Sequence, residues 1–412
     1  MASLFGFGGR KPAPPPPVDR SKPVGLDVTA SRAVAAAVIA GQPRPVPLGG
    51  EVADLPLVLA LDRRPATVGW DGFRLLRRRP HQTASGFLPL VGQGRAWGTV
   101  TADAALALSF DAVRKPLAAE TDAAVLALPG YLTAGPAAAV VDLAVAARLP
   151  LAGAVAAPLA LVARHAHLLT TDTAVPMALE AGGGRADGVV PFRPPTAGGP
   201  SWVLVVDADE YALSAAAVAV EPGGVAVAGG GCWPRLSLKA WTDRLLDALS
   251  DRCVRQCRRD PRDSADAEQA VFEQLPAVLD LWHAGRPAAV AVRADRWYQD
   301  LHPTPDDAAG WCDALARPAA DAVAELARGI DRPFPPRAVW LTHAAARLPG
   351  LIPAIQAAFP DRVPVLGLNP WAVCDAAAAL APRWRAGELP RAYLDAVLPT
   401  TAGRAAGVSR SG

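Results

Sequence analysis

The stretch Val24-Gly25-Leu26-Asp27-Val28-Thr29-Ala30-Ser31 reads as an apolar strand that runs into an aspartate, turns, and resumes in the apolar run 33–39. The figure recurs in the second half of the chain. There Trp202-Val203-Leu204-Val205-Val206 leads into Asp207, and residues 212–220 and 225–228 continue as a hairpin. Two copies of strand, aspartate, turn and strand predict two similar lobes with a ligand cleft between them.

Outward from these copies the pattern is α/β. Residues 55–61 form a short apolar strand, and 123–128 another, ended by Pro129-Gly130. A helix is expected over 136–148, with Pro136 in its first turn, then a strand over 151–155 and a helix over 159–167. The second half offers an amphipathic helix over 236–256, with Leu238, Trp241, Leu245 and Leu249 at helical spacing. Strands 288–292 and 338–341 and helices 319–329, 351–359 and 371–381 complete it. The domain organisation that follows is a proline-rich tail (1–22), a first lobe (23–169), a Gly/Pro-rich insertion or linker (170–200), a second lobe (201–395) and a C-terminal tail (396–412). The first tail is either a disordered leader or a tether carrying Leu4, Phe5 and Phe7 as a docking motif.

Composition excludes several classes. With 51% hydrophobic residues, the 412-residue chain buries large cores and is not a disordered protein. A net charge of +2, from 41 basic and 39 acidic residues, lacks the clustered basic excess that nucleic-acid binding needs. Only Lys11, Lys22, Lys115 and Lys239 are lysines, so the other basic residues are arginine and the absence of lysine at one site says little alone. Five scattered cysteines do not make a disulfide framework, and Cys253 and Cys257, spaced i, i+4, read as ordinary reduced thiols. No leader-like apolar region precedes the proline run. The longest uncharged stretch, 123–141, is broken by Pro129-Gly130 and Gly135-Pro136, so no transmembrane segment is expected and the expected location is cytoplasmic.

The order and spacing of several segments resemble the nucleotide-binding domain of the heat-shock protein 70 family, a branch of the actin-like ATPase superfamily. Val24 to Ser31 is similar to its first phosphate hairpin, and Val205-Val206-Asp207 to the start of the second. Thr67-Val68-Gly69, Pro80-His81-Gln82-Thr83 and Leu90-Val91-Gly92 resemble the approach to its catalytic lysine. Leu126-Ala127-Leu128-Pro129-Gly130-Tyr131 and Leu149-Pro150-Leu151 through Pro158 to His165 resemble the strands that follow. Trp241-Thr242-Asp243-Arg244-Leu245 and Arg293-Ala294-Asp295-Arg296-Trp297 resemble its next landmarks, Arg347-Leu348-Pro349 the end of its adenosine motif, and Asn369-Pro370 the opening of its last helix. The resemblance implies a two-lobed actin-like ATPase fold, made of duplicated ribonuclease-H-like domains around a central cleft. It implies ATP with magnesium as the cofactor, bound by Asp27, Thr29, Ser31, Asp207 and Arg347.

The departures point away from catalysis. The family's second loop is a glycine run, whose bare backbone lets N–H groups approach phosphate. Here it reads Asp207-Ala208-Asp209-Glu210-Tyr211. A carboxylate ~4 Å from a phosphate costs on the order of 4 kcal/mol at an effective dielectric of about 20. Magnesium held by Asp207, Asp209 and Glu210 would reverse that sign; without it the segment is a surface turn with no ligand. The position of the catalytic lysine falls near Leu88, the carboxylate before Pro158 becomes Ala157, and the adenosine-motif glycines and serine become His343-Ala344-Ala345. Three functions are expected on this basis. The first is a degenerate, pseudo-ATPase scaffold or regulator acting on an unidentified protein partner. The second is a weak magnesium-dependent ATPase, and the third an actin-like assembly protein. The chain also ends soon after its last family landmark, which predicts no peptide-binding domain of its own.

Overall fold

The computed structural model describes residues 22–50, 52–170, 201–221, 223–360, 363–390, 393–394 and 397–399. The chain is a mixed α/β protein organised on two main sheets. In the first, β1 (Val24–Val28), β2 (Arg32–Ile39) and β3 (Gln42–Val46) form an antiparallel meander. On the other side of β1, β4 (Ala124–Leu128) and β5 (Leu151–Ala156) pair in parallel, giving the order β5-β4-β1-β2-β3. In the second, β6 (Ser201–Ala208), β7 (Leu213–Glu221) and β8 (Gly224–Trp233) form the meander, and β9 (Val339–Leu341) and β10 (Val365–Gly367) the parallel side. The order β10-β9-β6-β7-β8 repeats that of the first sheet.

Strand alternation builds three cores. Val24, Leu26 and Val28 face α1 (Ala102–Glu120) and α2 (Ala134–Ala146). Val125, Ala127 and Val155 face the opposite way, onto α3 (Ala157–Thr170), whose other neighbours are Val203, Val205, Ala216 and Val218 of the second sheet. Trp202, Leu204 and Val206 face outward onto α4 (Leu238–Cys257), α5 (Ala265–His283), α6 (Pro305–Gly329) and α7 (Leu351–Ala358). With α3, α8 (Ala372–Ala378) fills the core shared by the two sheets. It lies so close to β1 that a Cβ on Gly25 would stand 2.0 Å from the Cys374 carbonyl oxygen, and only glycine fits.

Several expectations change. The strand over 55–61 is two, Asp54–Pro56 on β2 and Val58–Ala60 in a separate three-stranded sheet. Pro56 has no N–H to continue the pairing, which accounts for the break. Helix α6 begins at Pro305 rather than 319, because Pro318 sits on the exposed side and leaves the exposed Ala314 carbonyl to water. α1 and α5 were not anticipated. Val397–Pro399, expected in the C-terminal tail, pairs with β8. The docking motif at Leu4, Phe5 and Phe7 and all but the first residue of the 170–200 segment lie outside the described residues. Among the described residues no helix is long and apolar enough to cross a membrane.

Candidate functional site

The two strand–aspartate–turn segments meet across one cavity of about 50 Å³. Its lining includes Asp27 and Asp207 from β1 and β6, Arg32 from the start of β2, Thr342 and Arg347 from the segment after β9, and Asn369 before α8. Thr29 and Ser31 reach the same cavity, so all five residues expected to bind the nucleotide come together.

Most of their polar groups are engaged, although the buried Arg347 Nε and His343 Nδ1 in the same lining have no hydrogen-bond partner among the described residues. In the first turn the Thr29 hydroxyl donates to the Arg32 carbonyl at 3.2 Å and accepts from the Ser31 and Arg32 N–H groups, each at 3.3 Å. Ser31 Oγ accepts from the Glu210 N–H at 2.7 Å, a bond from one turn to the other. Arg347 is 8% exposed and donates to Asp280 of α5 at 3.1 Å. The same carboxylate meets His343 Nε2 at 3.0 Å. Although burial opposes it, the hydrogen bonds and charges of His343 and Arg347 hold the Asp280 carboxyl down at about 2.

Asp209 is the centre of the arrangement. It is 1% exposed, and its carboxylate accepts four hydrogen bonds. Oδ1 takes the N–H groups of Tyr211 (2.9 Å) and Ala212 (3.0 Å), closing its own turn. Oδ2 takes the Ala30 N–H of the first turn (2.9 Å) and the Tyr131 hydroxyl (2.6 Å) after β4. The Asp209 carbonyl in turn accepts from Leu238 N–H at the start of α4 (2.8 Å). One residue thus joins the turns after β1, β4 and β6 to the start of α4.

Burial dominates the electrostatics. It pushes the Asp27 carboxyl up to about 7, with the Asp207 charge adding to the rise and Arg32 opposing it. Asp207 is raised by burial too, against hydrogen bonds from Thr342 and the Ala208 N–H. Asp209 rises to about 6 through burial, moderated by its donors, and Glu210 to about 7 through burial, moderated by Lys239 and Arg77.

The expected magnesium ligands are not assembled. Of the three, Asp207 alone lines the cavity; Asp209 is consumed by its donors, and Glu210 feels chiefly the charges of Lys239 and Arg77, then those of Asp209 and Asp243. Among the described residues no three His, Cys, Asp or Glu side chains converge to hold a metal ion.

A second set of contacts joins the short helix Trp70–Phe73 and the residues after it to α4 and α5. Phe73 packs on Phe272 with ring centroids 4.9 Å apart, and the Arg77 guanidinium lies 5.1 Å from the same Phe272 ring. Arg77 pairs with Asp243 and Glu268, and Arg78 with Asp266. The fully buried Gln269 accepts from the Arg77 N–H (2.7 Å) and donates to the Phe73 carbonyl (2.9 Å). Sequence reasoning named neither this clasp nor the role of Tyr131. Tyr131 follows the Pro129-Gly130 turn and could have been proposed; the clasp partners are too far apart in the chain to pair by inspection.

No protein-family model matches the chain, and no curated protein matches it.

Proposed function

We propose that the chain is a two-lobed actin-like protein of the kind formed by the heat-shock protein 70 nucleotide-binding domain, and that it acts as a pseudo-ATPase scaffold or regulator of a protein partner. The repeated strand order and the helices α3 and α8 between the sheets support the architecture. So do Asp27 and Asp207 at equivalent places in β1 and β6.

The functional half rests on Asp209. A phosphate loop presents backbone N–H groups to an anion. Here the N–H groups of Ala30, Tyr211 and Ala212 already point at an anion, and it belongs to the protein. An incoming phosphate meets that charge and the Asp27–Asp207 pair. A cavity of about 50 Å³ also falls well short of the about 300–1,000 Å³ of pockets that hold drug-sized ligands.

The weak-ATPase alternative draws on Asp27 and Asp207 sharing the cavity. Calorimetric titration of the full chain with ATP, with and without magnesium, separates the two. No heat of binding up to millimolar ATP and no turnover are expected. Magnesium-dependent binding, with hydrolysis that disappears in Asp27→Asn, would overturn the proposal.

A further inference from the structure

Helix α4 ends in a pair of thiols that the proposed function does not use. Cys253 and Cys257 stand one turn apart, and their Sγ atoms lie 3.5 Å from each other. Cys253 is fully buried in the core behind the second sheet. Cys257 is partly exposed and is the last residue of the helix, followed by Arg258 in the left-handed region at φ 61°. Spacing i, i+4 on a helix brings two side chains onto one ion, as in helical metal motifs.

The donor set narrows the ion. Thiolates are soft ligands that select Cu(I), zinc and iron–sulfur clusters. Structural zinc and iron–sulfur clusters take four protein ligands, whereas no third metal-binding side chain joins this pair among the described residues. What remains is an ion satisfied by two sulfurs. At a metal–sulfur distance of about 2.3 Å, the present separation corresponds to a sulfur–metal–sulfur angle near about 100°, and a linear arrangement needs about 4.6 Å. Reaching it requires a different side-chain rotamer of Cys257, the last residue of the helix. In sequence the pair is flanked by Arg255, Arg258 and Arg259 and by Asp251 and Asp260, while Arg252 pairs with Asp307 and Asp260 with Arg262.

We propose that Cys253 and Cys257 form a dithiolate site for a soft monovalent metal ion of the Cu(I) class. Binding breaks two S–H bonds, forms two metal–sulfur bonds and releases two protons to solvent, with no change in oxidation state. Both sulfurs bind as thiolates, so binding releases protons and the affinity rises with pH.

The test is an anaerobic titration of the full chain against Cu(I) held by bicinchoninate, read by loss of the chelator complex and by counting free thiols. The expected result is one Cu(I) withdrawn per chain, with two of the five thiols protected. Cys257→Ala and Cys253→Ala should each weaken binding by more than the about 10–100-fold that loss of an outer-sphere partner costs. Cys232→Ala and Cys312→Ala should leave it unchanged. If Cys253→Ala fails to fold, Cys257→Ala at the helix end decides. Binding that survives Cys257→Ala, or a folded wild type that takes no Cu(I) from the chelator, overturns the proposal.

Discussion

Replacing Asp209 with alanine removes the acceptor that four donors share. The bonds from Ala30 and Ala212 are buried, and a buried donor left without a partner costs roughly 1–3 kcal/mol. Those from Tyr131 and Tyr211 are half-buried, so water replaces the carboxylate and each costs roughly 0.5–1 kcal/mol. Against this stands the relief of a buried charge. The carboxyl is pushed from 3.8 to about 6, and two units correspond to about 3 kcal/mol at pH 7. The balance runs from near zero to a loss of about 5 kcal/mol, with a midpoint of about 2–3 kcal/mol that corresponds to a fall in Tm of roughly 5–10 °C at about 2–4 °C per kcal/mol. Thermal and urea unfolding of wild type and Asp209→Ala read it directly. A second readout follows from the geometry. The variant keeps four donors around a vacated carboxylate-sized space, so formate should raise its Tm above that in equal chloride, and should do so far less for wild type. An Asp209→Ala chain as stable as wild type and indifferent to formate would refute the view that this side chain fills an anion seat.

Two further outcomes follow from the same residues. Asp27 and Glu210 titrate at about 7 in the fold, against ordinary values of 3.8 and 4.5, so the folded chain binds their protons more tightly than the unfolded one. That stabilisation is complete near pH 4 and is lost as pH rises through about 7. Urea unfolding should therefore show stability falling from pH 5 to 8 and a flatter profile in Asp27→Asn; a rise over that window contradicts the burial argument. In the clasp, Arg77→Ala loses partly exposed ion pairs and the contact with Phe272, together about 1–2 kcal/mol. It should speed amide hydrogen exchange over residues 70–79 and around Gln269, and unchanged exchange there would show that the clasp does not hold these segments together.

Much of the fold was legible because its signals are local. β1 and β6 are short apolar runs leading into aspartate and buried on both faces. The other outcomes show where local signals mislead. α1 carries Ala102, Ala105, Leu106, Phe110, Val113 and Leu117 on one buried face, with Thr101 capping its start. The period is plain once seen, but alanine contrasts weakly with its neighbours and Pro116 interrupts the pattern. Pro318 had the same effect on α6. A proline on the solvent side of a helix costs one hydrogen bond that water replaces, so it is no reliable stop.

At the site, position was legible and role was not. Thr29, Ser31 and Arg347 reach the expected cavity, yet their polar atoms serve Arg32, Glu210 and Asp280. Those assignments depend on chain segments brought together only by the fold: the Ala30–Asp209 bond spans 179 residues. One part of the answer was nonetheless local. An aspartate that accepts from the N–H groups two and three residues ahead closes a turn without glycine. The lack of glycine and the acidic side chain in the second turn are therefore a single feature. A glycine turn leaves its N–H groups facing space that an anion must fill, whereas this turn supplies the anion itself. Buried donors without partners are costly, so a site that had merely lost its ligand would be left unstable. Asp209 removes that cost for the N–H groups of the two turns, and in doing so it joins them to each other.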